Sequence, residues 1–157
     1  MKTNIGINEK NRKAVVAILN SVLSNEFLLY TKTRNYHWNV TGSDFGELHK
    51  FFEAQYEELD DMMDEAAERA RSVGGVSFGT MTEFLKSSTL KEFPGVVPPA
   101  ETMIANLLQD HETTIQKLRQ DLEACAEKYQ DMGTSDFLTG LMEQHEKMAW
   151  MLRSYLE

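Results

Sequence analysis

Four side chains on one stretch of this chain have the types and the spacing of a metal site: His49, Glu53, Asp64 and Glu68. His49 and Glu68 lie equally far from the midpoint between Glu58 and Leu59, and so do Glu53 and Asp64. On a helix running antiparallel to a copy of itself about a two-fold axis at that midpoint, His49 faces Glu68 of the partner subunit, and Glu53 faces Asp64 of the partner subunit. At about 100° per residue the four fall within a sector of about 100°, so they share one helix face. His49 and Asp64 are 15 positions apart. That is about 22 Å along a helix, too far for one coordination sphere. The spacing therefore implies a site closed by two chains.

His37 supplies a second imidazole. It ends the first long helical pattern, and the turn that follows can bring it to the same end of the molecule as His49. Imidazole with carboxylate suits ferrous iron, manganese or zinc and leaves coordination positions open for an oxidant. A lone histidine on a helix more often packs or hydrogen-bonds than ligates, so the carboxylate register carries this reading. The intrachain di-iron bundle needs Glu-x-x-His on two helices. The residues three before the four histidines are Arg34, Gly46, Leu108 and Met142, so that pattern is absent from the sequence. His-Glu-x-x-His is absent as well, which removes the common zinc hydrolase signature.

The elements that must position these groups are helical. From Asn8, a plausible N-cap, apolar residues recur at Val15, Ile18, Leu19, Val22, Leu23, Phe27 and Tyr30, giving a helix over about 8–37. After a turn at 39–43, Asp44 with Glu47 has the form of a capping box and opens a second helix over about 44–73, which stops at Gly74-Gly75. The stretch from Gly74 to Pro99 is long enough to cross a bundle. Within it, Thr80 and Glu83 form another capping box, so 81–86 is a short helix of its own. A third long helix covers about 99–130 and ends at Gly133. A fourth, capped by Thr134 or Ser135, covers about 135–155. The expected fold is all-α, a single-domain, ferritin-like four-helix bundle with one long crossover.

Composition agrees with this reading. With 157 residues, 41% hydrophobic and 26% charged, the chain can bury one core. The N-terminal stretch has no apolar signal-peptide core, and no apolar run approaches the roughly 18 residues that span a bilayer, so a cytoplasmic protein without membrane contact is expected. Cys125 is the only cysteine, which excludes an intrachain disulfide and reads as a small apolar filler. A net charge of −9 opposes nucleic-acid binding and favours cations. His111 reads as a solvated helix position, and His145 as an interface or surface pair.

The stretch Lys32-Thr33-Arg34-Asn35-Tyr36-His37-Trp38-Asn39-Val40-Thr41-Gly42, then Leu48-His49, Glu57-Glu58-Leu59-Asp60 and Asp64-Glu65-Ala66-Ala67-Glu68-Arg69-Ala70, closely resembles the Dps family of mini-ferritins. The resemblance extends to the terminal His145-Glu146-Lys147-Met148-Ala149-Trp150 and covers essentially the whole chain. It implies a dodecameric shell of tetrahedral symmetry that oxidises ferrous iron at subunit two-folds and deposits ferric mineral inside. It also implies that His37, His49 and Glu53 come from one subunit and Asp64 and Glu68 from its partner. Many relatives have Asp where this chain has Glu53, one methylene longer. The resemblance further suggests hydrogen peroxide rather than dioxygen as oxidant. Trp38 and Tyr36 are candidate electron donors, with packing at a dimer interface as the alternative. Asp136, and secondarily Asp131, are candidates for lining an iron-entry pore, although a carboxylate in a first helical turn also serves the helix dipole. The rival function is DNA compaction through a lysine-rich tail. Here only Lys2 is cationic ahead of the first helix. A helical adaptor without chemistry is the third reading.

Overall fold

The computed structural model describes residues 3–157, so Lys2 lies outside the described residues. Among these, the order is α1 (Glu9–Asn39), α2 (Phe45–Ser72), α3 (Met81–Ser87), α4 (Ala100–Glu123), a π-helical turn (Ala124–Lys128) and α5 (Met132–Arg153). Asn8 caps α1 as its sequence suggests, its side chain accepting from the Asn11 N–H at 2.9 Å. α1 packs chiefly on α2, and α4 chiefly on α5; α3 lies against α1. Leu19, Leu29, Phe52, Leu59, Leu107, Leu118, Leu138 and Leu141 form the sealed core between them. Each such side chain stabilises the bundle by about 1.5–3 kcal/mol.

α1 departs from one expectation. It carries an 18-residue window of mean hydropathy 1.4, apolar enough by composition to cross a bilayer. Its buried face is the cause, because Val15, Leu19, Val22, Leu23, Leu28 and Leu29 all point into the bundle.

Of the two expected capping boxes, one forms. Thr80 is extended (φ −123°, ψ 147°), and its hydroxyl and the Glu83 carboxylate satisfy each other's backbone amides. Asp44 sits at φ −97°, ψ 15°, too far from extended to aim its carboxylate along the helix, and makes no side-chain cap. Glu47 instead accepts from the Tyr155 hydroxyl at 2.9 Å. Burial and this carboxylate push the phenol up to about 12.

Two asparagines fasten the crossover to α1. Asn20 Oδ1 accepts from the Phe78 amide at 2.9 Å, and its Nδ2 donates to the Val76 carbonyl at 3.0 Å. Asn25 Oδ1 accepts from the Ser88 hydroxyl and the Thr89 amide, both at 2.8 Å. Phe84 of α3 then stacks on Phe27 with centroids 4.3 Å apart.

The junction of α4 and α5 differs from the sequence reading. α4 widens into the π-helical turn, and Gln130, at φ 56°, makes the break that Gly133 was expected to make. Asp131, not Thr134 or Ser135, caps α5, accepting from the Thr134 amide at 3.0 Å. Gly133 lies inside the first turn, where a Cβ would sit 2.9 Å from Arg69 Nη2. Its bareness lets Arg69 reach Asp131 and Thr134.

His111 and His145 are also corrected. Neither is solvated or on the surface: both are fully buried at the centre of the bundle. Their Nδ1 atoms are 2.9 Å apart, and His145 Nε2 lies 2.8 Å from Glu26 Oε1, itself fully buried. Burial, with His145 alongside, holds the His111 pKa well below the usual imidazole range. The helical period placed both histidines at inward positions. Their polarity made them look exposed, because the buried carboxylate that accepts from His145, which in turn pairs with His111, sits on a different helix.

Candidate metal centre

The turn 40–44 folds α2 back on α1 and stacks His37 on His49, ring centroids 3.7 Å apart and planes 20° from parallel. Each ring is locked by the other's backbone. His37 Nδ1 is 2.7 Å from the His49 carbonyl oxygen, and His49 Nδ1 is 2.9 Å from the His37 carbonyl oxygen. A carbonyl only accepts, so each Nδ1 carries the proton and donates. A neutral imidazole then has its one lone pair at Nε2, the arrangement of metal-binding histidines whose other nitrogen is tied to a carbonyl. His37 is buried and His49 half-buried, which limits competing hydration.

Glu53, one turn beyond His49, is half-buried and accepts from the Tyr56 hydroxyl at 3.3 Å. The Tyr56 ring meets His37 edge-on with centroids 5.2 Å apart. Burial first, and the Glu53 carboxylate second, raise the Tyr56 pKa, so the phenol keeps its proton at neutral pH. The Arg34 guanidinium lies over the rings of Tyr56, Trp38 and Tyr30, at 4.9, 5.4 and 5.6 Å from their centroids.

Asp64 and Glu68 are exposed on the other half of α2. Asp64 opens on a recess of about 430 Å³ lined by Leu23, Phe27, Met63, Phe78 and Phe84, with Asp60 and Asp61. Among the described residues of one chain, no three His, Cys, Asp or Glu are placed to share a metal ion.

Of the candidate electron donors, Trp38 is 64% exposed, under Arg34. Tyr36 is buried, turns towards α4 and accepts at its hydroxyl from Asn106 Nδ2 at 3.0 Å. Burial raises its pKa as well. Asp136 is exposed, and because α5 starts at Met132 it lies just beyond the first turn of that helix. Asp131 is 4% exposed and caps α5, with one oxygen on the Thr134 amide and Arg69 and the other on the Thr134 hydroxyl at 2.7 Å, an arrangement that does not favour a pore-lining role. Sequence reasoning missed Tyr56 and Arg34, although Tyr56 stands three residues after Glu53, the spacing of helical neighbours.

A model of the ferritin-like domain family matches residues 16–157. The chain is 48% identical over 156 residues to an uncharacterized low temperature-induced protein of Nostoc sp., covering 99% of this chain and 87% of that protein. It is 38% identical over 144 residues to DNA protection during starvation protein 2 of Bacillus anthracis, covering 92% and 97% of the two chains. The crystal structure of the Dps protein of Vibrio cholerae superposes with a TM-score of 0.92 at 30% identity, over 100% of this chain and 98% of that one. It is described as a member of a broad superfamily of ferritin-like diiron-carboxylate proteins. Four long helices with a crossover between the second and third define the class as ferritin-like. Within that class the chain belongs to the Dps family. It is an iron-storage mini-ferritin.

Proposed function

We propose that two copies of the chain lie head to tail along α2, so that His37, His49 and Glu53 of one subunit and Asp64 and Glu68 of the other hold ferrous iron while it is oxidised. The observation that carries this reading is the reciprocal lock of the two imidazoles, which leaves two Nε2 lone pairs side by side at one end of α2. Iron is the substrate, and zinc or manganese, which favour similar ligands, would compete. Two ferrous ions give two electrons to one hydrogen peroxide; with two protons the products are two ferric ions and two waters. The paired transfer cleaves the O–O bond without releasing a hydroxyl radical. Dioxygen is the slower oxidant. Twelve subunits enclose the ferric mineral, and Asp136 lines the entry pore. The product is protection from oxidative damage.

The exposed, acidic Asp64 and Glu68 suit this role, because among the described residues neither is in an ion pair that would compete for the metal. The double variant His49→Ala with Asp64→Ala tests the site. It should assemble normally and lose fast iron oxidation, followed by ferric absorbance in stopped flow. Unimpaired oxidation in an assembled double variant contradicts the proposal.

A further inference from the structure

Among the described residues, Tyr56 is the redox-active side chain that touches two of the ligands proposed above, His37 through its ring and Glu53 through its hydroxyl. Tyr36, adjacent to His37 in sequence, has its hydroxyl on Asn106 and faces another helix. Trp38 is linked to Tyr56 through Arg34, whose guanidinium lies over both rings. A phenol loses an electron readily only when its proton leaves in the same event, and Glu53 Oε1 is within reach to take it. Arg34 over the ring opposes a charged radical cation there, and leaves the neutral radical formed by joint loss of proton and electron as the accessible product.

We propose that Tyr56 is the reserve electron donor of the site, acting when it holds a single ferrous ion. This rests on the site reading given above. One ferrous ion supplies only one of the two electrons that cleave peroxide to water. The other comes from Tyr56: the O–H bond breaks, the electron goes to the peroxide, the phenolic proton passes to Glu53 and on to product, and one further proton comes from solvent. Ferrous ion, hydrogen peroxide, tyrosine and that proton give ferric ion, neutral tyrosyl radical and two waters. The hydroxyl radical that a lone iron would otherwise generate is not released. Trp38, exposed beyond Arg34, is where the electron hole can next travel.

The test loads the assembled protein with one ferrous ion per site, adds hydrogen peroxide, freezes within milliseconds and records the electron paramagnetic resonance spectrum. The wild type should show a tyrosyl signal that narrows in protein grown on ring-deuterated tyrosine. Tyr56→Phe should lose that signal and release more hydroxyl radical to a spin trap, whereas Tyr36→Phe should retain it. A tyrosyl signal that survives in Tyr56→Phe, or its absence from the wild type, overturns the proposal. Wild-type protein loaded with two ferrous ions per site separates the two levels. If it oxidises iron rapidly while the one-iron sample gives no tyrosyl signal, only the role of Tyr56 falls; if it does not oxidise iron, the site reading falls with it.

Discussion

At His37 and His49 the telling atom is Nδ1. Both rings could rotate freely in an unfolded chain, and the sequence shows only that two imidazoles stand 12 residues apart across a turn. The backbone carbonyls that fix them appear only after the turn has closed. The common face of the carboxylates on α2 is more legible, because register on a helix is a matter of counting. Tyr36 and Tyr56 show the converse: chain adjacency to His37 pointed to the first, and the fold gives the contact to the second. His111 gives a pH dependence of fixed sign. Its folded pKa lies below the ordinary 6.5, so the unfolded chain binds the extra proton as pH falls. Stability from this group is present above about pH 6.5 and is lost as pH drops towards the folded value. Thermal melts from pH 8 to pH 5 should show a shallower loss in His111→Gln than in the wild type; identical slopes would contradict the assignment. Cys125, fully buried with its thiol pushed up to about 12 by burial, should resist alkylation at neutral pH until the protein unfolds.

Among the elements, ends were harder to read than centres. The long helices appear where the apolar period places them, since that period is set by burial along many turns. A cap depends on one residue's backbone. Thr80 and Asp44 have the same sequence pattern, yet only Thr80 takes the extended conformation a cap requires. The start of α5 was hidden for a different reason: Asp131 is held by Arg69, 62 residues earlier on α2, and a pairing at that separation leaves no local trace. Replacing Asp131 by Ala should cost about 0.5–2 kcal/mol from the lost cap. The partly buried Arg69 guanidinium is left facing only the Thr134 hydroxyl. The measurement is the shift in thermal midpoint against wild type. A shift no larger than that of a surface Asp136→Ala control would contradict the capping role.

For the whole molecule, charge and symmetry set the expectations. In the proposed shell, twelve copies at −9 each would carry −108, so gel retardation of DNA at moderate salt without divalent ions should be absent. Asp136→Asn should slow iron entry into the shell while leaving oxidation on an opened subunit pair unchanged; unchanged uptake would remove the pore role. The proposed shared site rests on the symmetry of four residues about the middle of α2, the symmetry that a two-fold axis imposes on any helix lying across it. How the two copies pack is not encoded so simply, since the recess beside Asp64 is lined by residues from α1, α2, α3 and the crossover. The most direct measurement is complementation. His49→Ala and Asp64→Ala proteins are each inactive in iron oxidation on this account, yet a mixed pair contains one site with every ligand intact. Subunits unfolded together in equal amounts and reassembled should recover about a quarter of the wild-type active sites, if pairing is random across the two-fold. Recovery near that level is the predicted result, and a mixture as inactive as its two parents would contradict a site shared between chains.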